Sequence, residues 1–312
     1  MYFPYLFDKQ SELLALRGLA GSLGSPQKIV PLIEPVSSIA GLSRLHAKFK
    51  ESGDYAYVVE NPGLLKLAIG AHLAAWKRDA RPLFADQDVF RPVYKESNAT
   101  TTAEIRNFVA RYPSRPIGIV LNSGRIPVPT IFSALVASDS LIFMTAGADR
   151  VALVAAFGAA RTVEINDRFP TQRVNADYRG VEWFSRDHLD YATTGYPGFS
   201  DYTMLPSKPN KQGGGAPGAV AIHLTYKYTD RSFWVEHFVS DETDRNVGSA
   251  GSKMLEAIAY IAAEVAANAT KFDSSPALAE YLAIHASGAN SSLGNNKKLE
   301  IAHHIYTVAL RL

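Results

Sequence analysis

The chain of 312 residues contains no cysteine. That excludes disulfides, thiolate metal sites and cysteine nucleophiles, and it suits a reducing compartment. An excess of one charge sign is also lacking. The 32 basic and 30 acidic residues leave a formal net charge of +2, so no global field draws the protein to nucleic acid or an anionic membrane. No apolar run approaches the roughly 20 residues a membrane helix needs. The N-terminal stretch MYFPYLFDKQSELLALRGLAG is broken by Asp8, Lys9, Gln10, Ser11 and Glu12, unlike the continuous apolar stretch of a secretory signal. These absences lead to the expectation of a soluble, cytoplasmic protein with no membrane partner.

Sequence signatures of catalysis are missing too. There is no H-E-x-x-H, no G-x-S-x-G, no zinc-type spacing and no G-x-x-x-x-G-K-[ST]. What is present is a rhythm. Apolar runs fit for strands alternate with segments of helical periodicity. Strands are expected at 29–35 (IVPLIEP), 55–61 (YAYVVEN, whose YVVENP ending echoes IVPLIEP), 81–88 (RPLFADQD), 115–122, 140–146, 161–167, 196–203 and 219–228. Helices are expected at 8–20, with Asp8 able to cap the first, then at 37–50, 63–79, 101–112, 129–138, 148–159 and 181–189. Strand–helix alternation with strands apolar on both faces argues for a parallel sheet covered by helices. Counting to eight points to a (β/α)8 TIM-like barrel. The alternative, an open doubly wound sheet, loses ground because IVPLIEPVSSIAGL has no G-x-G-x-x-G. Beyond 228 the rhythm ends. Residues 219–239 read as a β-hairpin turning at TDRS, and three helices follow near 252–269, 276–286 and 297–310. No Pro/Gly-rich linker intervenes, so residues 1–312 are expected to form one α/β barrel domain, with 240–312 as a helical elaboration.

The opening YFPYLFDKQSELLALRGL, followed by IVPLIEPV, resembles the beta-protein family of bacteria and phages. The matching positions are Tyr2 or Tyr5, Pro4, Leu6, Lys9, Glu12, Ala15, Leu16, Pro31, Ile33 and Glu34. GFSDYT (198–203) is similar to that family's glycine-to-Asp-Tyr segment. The resemblance covers the first ~40 residues best. It implies a barrel-like α/β fold and an association with mobile elements or phage defence, and it implies no catalytic residues.

A parallel barrel carries its site at the C-terminal ends of its strands. The polar groups expected there are Glu34, Glu60, Asn61, Asp86, Asp88, Asn122, Glu164, Asn166, Asp167 and Asp201. Glu34, Asn61 and Asp86 directly end apolar runs and form the expected catalytic set. Glu34, Asp86, Glu164 and Asp201 could share a divalent cation with oxygen ligands, Mg²⁺ or Mn²⁺. The competing role for each is to cap the following helix, which is the commoner use of a strand-end carboxylate. PSKPNKQGGGAPG (206–218) offers Lys208, Lys211, Gly213 and Gly214 to a phosphate; its plain reading is a surface loop. His223, in the expected eighth strand, would bind substrate near Asp201. The adjacent His303 and His304 point about 100° apart on a helix and do not make a two-histidine metal face. Tyr196, Phe199 and Tyr202 would stack on a base, or else serve the core. Two function classes follow. One is a metal-dependent enzyme acting on a nucleotide or nucleic acid. The other is a non-catalytic component of a defence system that binds a protein from a neighbouring gene through the hairpin and C-terminal helices. A sugar or metabolite enzyme using carboxylate acid–base chemistry is a third.

Overall fold

The computed structural model describes residues 1–24, 27–209 and 215–312. Eight parallel strands form one sheet in the order β1 (Tyr5–Phe7), β2 (Leu32–Glu34), β3 (Ala56–Val59), β4 (Phe90–Lys95), β5 (Ile117–Leu121), β6 (Ser140–Met144), β7 (Thr162–Asn166) and β9 (Ser200–Asp201). Tyr2 bridges to both Ile29 and Phe199, which joins the two edges. At that seam the Phe3 amide donates to the Phe199 carbonyl at 2.9 Å and the Phe199 amide to that of Met1 at 3.1 Å. A Cβ on Gly198 would lie 2.1 Å from the Met1 carbonyl oxygen, so only glycine permits this approach. The architecture is the expected TIM-like barrel.

Helices α1 (Gln10–Leu19), α2 (Ala40–Ser52), α3 (Gly70–Ala85), α4 (Thr102–Arg111), α5 (Val128–Leu135) and α6 (Arg150–Phe157) connect successive barrel strands. After β7 the chain departs to make β8 (Val181–Ser185) and α7 (Asp187–Thr194), then returns as β9. Strands β10 (Ala221–Lys227) and β11 (Phe233–Val239) form the expected antiparallel hairpin, and β8 adds to it in the order β10-β11-β8. The three expected C-terminal helices are α8 (Ala250–Ala267), α9 (Pro276–Ser287) and α10 (Leu293–Ala309). Helix α10 packs on α1 and β10. No helix among the described residues is long and apolar enough to cross a membrane.

Four assignments differ from the sequence reading. The first barrel strand is the N-terminal YLF, so IVPLIEP supplies the second. Residues 81–85 continue α3 instead of starting a strand, because Trp76, Ala80 and Phe84 recur every fourth position and are all buried. Pro82 lies inside the helix, where its missing N–H gives up the bond to the carbonyl of residue 78. The strand comes later, at FRPVYK. Residues 181–185 are a strand, with helix only from 187. Residues 219–228 belong to the hairpin sheet, and β9 takes the eighth place in the barrel. Asp8 also does not cap α1. Its Oδ1 accepts the amides of Val36 (2.7 Å) and Ser37 (2.9 Å), binding the end of β1 to the loop after β2.

The middle of the barrel is filled. The rings of Phe3, Tyr57 and Phe143 meet with centroids 5.3–6.3 Å apart. Gly118 faces them, and a Cβ there would sit 2.8 Å from Val93 and 3.2 Å from both Phe143 and Tyr57. An aromatic plug with a glycine opposite closes the interior, so chemistry inside the barrel has room only above it, at the C-terminal mouth.

Candidate active site

Strand side chains alternate between the barrel interior and the surrounding helices. At the mouth this sorts the polar groups. Phe7, Glu34, Asn61, Lys95 and Tyr202 fall on the inward register. Glu60, Glu96, Glu164 and Asp201 fall on the outward one. The inward set makes one connected cluster. Glu34 Oε2 accepts the Tyr5 hydroxyl at 2.7 Å and the Lys95 ammonium at 2.6 Å, and the ammonium lies 3.2 Å from the Tyr5 oxygen. Asn61 gives both ends of its amide to the backbone of Lys95, at 2.8 Å each, and so fixes the residue that carries the cation. Tyr202 leans on Tyr5 with centroids 4.8 Å apart.

Glu34 is only 2% exposed, whereas Lys95 is 23% exposed. The carboxylate is therefore committed to its partners, while the ammonium keeps one proton directed at no protein acceptor among the described residues. Burial, and then the nearby Glu34 carboxylate, push the Tyr5 phenol well up. Burial followed by Glu34 and Asp167 does the same to Tyr202. Both phenols stay protonated across the physiological range. The mouth thus offers a held cation and the Tyr202 phenol as donors, which suits an anionic oxygen.

The other expected site residues lie elsewhere. Asp86 ends α3, before β4, and so sits at the opposite end of the barrel. It pairs with Lys50 at 2.8 Å and lies 3.5 Å from His46; the Lys50 ammonium holds its carboxyl below the usual range. Glu164 points out to Arg150 (2.9 Å) and the Tyr196 hydroxyl (3.2 Å). Asp201 points out to the Tyr2 hydroxyl (2.5 Å) and the Thr203 amide (2.8 Å). Glu34, Asp86, Glu164 and Asp201 therefore do not converge. Among the described residues no group of three or more His, Asp or Glu could hold a metal ion, so this donor set does not fit Mg²⁺ or Mn²⁺. Of the aromatic trio, only Tyr202 reaches the mouth; Phe199 stacks on Tyr2 outside the barrel. Lys208 is exposed on the loop leaving the C-terminal end of β9, hence on the mouth side. Lys211, Gly213 and Gly214 lie outside the described residues.

The histidines singled out in the sequence, His223, His303 and His304, are buried groups with partners inside the fold. His223 is in the hairpin sheet, its Nδ1 2.8 Å from Nδ1 of His237, with Tyr178 beside both rings. It does not face Asp201. His304 does, at 3.7 Å, and its Nε2 is 3.0 Å from the Tyr2 hydroxyl. His303 turns away to Ser275 Oγ (2.7 Å) and the Thr225 carbonyl (2.9 Å). Burial lowers the His303 pKa from 6.5 to about 4. A depressed histidine resists protonation in the folded state, so the unfolded chain binds more protons between those values. The contribution is complete above pH 6.5, falls as pH drops towards 4, and is constant below. The stability advantage of the native protein over His303→Gln should shrink by about 3 kcal/mol between pH 7 and pH 4 in urea titrations. An unchanged gap would show that the imidazole titrates normally.

Lys95 and Tyr5 escaped the sequence reading of the site, and Tyr202 entered it only as a stacking ring. The signal was FRPVYKE, an apolar run ending in a lysine, hidden behind the misplaced strand at 81–88. Away from the mouth, a cavity of about 820 Å³ lies on the flank between α1, α2, α9 and α10. Its walls are largely apolar, and the mouth is the better candidate on charge and geometry. No protein-family model matches this chain, and a search of curated proteins returns no match.

Proposed function

We propose that the chain is a cytoplasmic enzyme acting at the barrel mouth on a small phosphate-containing substrate of the nucleotide kind. The observation that supports this reading is the Lys95 ammonium, fixed by Glu34, Tyr5 and Asn61 at the C-terminal ends of neighbouring strands with one proton free. Lys95 would neutralise a phosphoryl oxygen without reorganising. Tyr202 would donate its phenolic proton to a second oxygen, and Glu34 would orient the cation. The exposed Lys208 adds charge on the same side. The beta-protein resemblance supports a setting in phage defence or mobile-element biology for this activity.

The test is thermal melting with a panel of nucleotides and sugar phosphates. The comparison is native protein against the double variant Glu34→Gln/Lys95→Met, which removes both charges together. A ligand at about 100 times its Kd for the mouth should stabilise the native protein by about 2.7 kcal/mol more than the double variant. Phage plating on cells expressing each protein should follow the same split. Equal shifts in both proteins, or none in either, would overturn the reading.

A second reading is a defence component that binds a protein partner. It is favoured by β8, an edge strand of the hairpin sheet whose Val181 and Trp183 are each 45% exposed. An open edge with apolar side chains invites pairing with another chain. Loss of co-purification with a co-expressed neighbouring-gene product on Val181→Lys/Trp183→Ser, with the mouth variant still binding, would favour this reading.

A further inference from the structure

Helices α3 and α4 part on the barrel wall and leave a cleft of about 970 Å³, within the size range of ligand sites. Its lining combines apolar groups, Leu73, Trp76, Phe84 and Tyr94, with four cations, Lys77 and Arg81 on α3 itself and Arg111 and Arg115 across from it.

The charges there do not balance. Glu60 is committed to Arg111 and to the Tyr112 hydroxyl at 2.5 Å. Glu104 closes the N-terminal cap of α4 with Thr101. Arg115 donates to the carbonyls of Phe84 (2.8 Å) and Phe90 (3.1 Å) and makes no ion pair among the described residues, and its buried Nε has no partner. Lys77 and Arg81 have no ion pair among the described residues. Four cations, Lys77, Arg81, Arg111 and Arg115, thus face two carboxylates, Glu60 and Glu104, and the hollow keeps an excess of positive charge. In the apolar wall, the buried Trp76 indole N–H has no acceptor, and a buried donor without a partner is costly.

We propose that the α3–α4 cleft is a second binding site, distinct from the mouth, for a nucleoside phosphate. Its phosphate lies against Lys77, Arg81 and Arg115, and its base against the Trp76–Tyr94 wall. The pairing of an uncompensated cationic rim with an apolar wall selects a ligand that is anionic at one end and flat and apolar at the other. Free phosphate would use only the rim, and a nucleoside only the wall. Asn61 lines the cleft and also fixes the backbone of Lys95, so the two sites share one amide.

Isothermal titration with AMP, ATP, adenosine and inorganic phosphate tests this. Lys77 and Arg81 are exposed on α3, so Lys77→Glu/Arg81→Glu should fold normally, which circular dichroism verifies. AMP or ATP is expected to bind the native protein and the mouth variant Glu34→Gln/Lys95→Met alike at the cleft. Affinity should fall at least tenfold in Lys77→Glu/Arg81→Glu, and at least tenfold for adenosine or phosphate alone. The proposal is overturned by absence of nucleotide binding at millimolar concentration. It is also overturned by full retention of binding in the α3 variant, or by inorganic phosphate binding as tightly as AMP. Loss of all nucleotide binding in the mouth variant with retention in the α3 variant would leave the mouth reading standing and the cleft refuted.

Discussion

Asp201→Ala is expected to lower the unfolding free energy by about 4 kcal/mol, a large fraction of the total for most domains. The carboxylate is 1% exposed and accepts the Tyr2 hydroxyl at 2.5 Å and the Thr203 amide at 2.8 Å. Tyr2 in turn meets His304, whose Nδ1 lies 3.2 Å from Thr225 Oγ1. One side chain thus holds together the first barrel strand, the last barrel strand and the C-terminal helix. Alanine leaves the phenol and the amide without an acceptor, at about 1–3 kcal/mol each, in addition to a void. Asp201→Asn keeps an oxygen in place and should lose only about 1 kcal/mol. Chemical denaturation of the two variants measures the difference. A loss below about 1 kcal/mol for the alanine variant would show that the seam is held by packing alone.

The second large effect is at the mouth. Lys95→Met should destabilise by about 3–5 kcal/mol, since it strands a carboxylate in a site with almost no access to water. Glu34→Gln should be milder, because its amide oxygen still accepts from Tyr5 and Lys95. The double variant removes both charges and should recover most of the loss. The coupling between the two positions is then expected near 2–3 kcal/mol, within the range for groups in direct contact. Denaturant midpoints for the four proteins give the cycle. Additive losses would mean that the 2.6 Å contact contributes no specific energy.

The fold was legible because its signal is repeated. Parallel strands buried on both faces read as apolar runs, and each helix between them carries its own stripe. IVPLIEP and YVVENP do become neighbouring strands, paired Leu32 to Tyr57 and Ile33 to Val58, and Glu34 and Asn61 reach the same mouth. What sequence could not supply was the phase of each strand. Asp201 ends its strand as Glu34 does, and Glu164 stands in the middle of its own, but one step of register turns both out to the helices. Asp86 failed for another reason. RPLFADQD has strand-like composition, and only the four-residue spacing back to Trp76 reveals a helix. With that strand misplaced, Lys95 fell in unassigned chain, and the cation central to the candidate site went unseen. His223 was drawn to Asp201 by a count of eight that included the hairpin and omitted the N-terminal strand.

The seam at Tyr2 also bears on the order of assembly. Strands β2 to β7 each find their next partner within a few dozen residues, and can pair in sequence as the chain emerges. Residue 2 has partners at positions 29, 199, 201 and 304. The last three close very long loops, and non-local contacts of that kind form slowly. The strand synthesised first is therefore among the last to be enclosed, and until α10 arrives its aromatic residues have no complete lining.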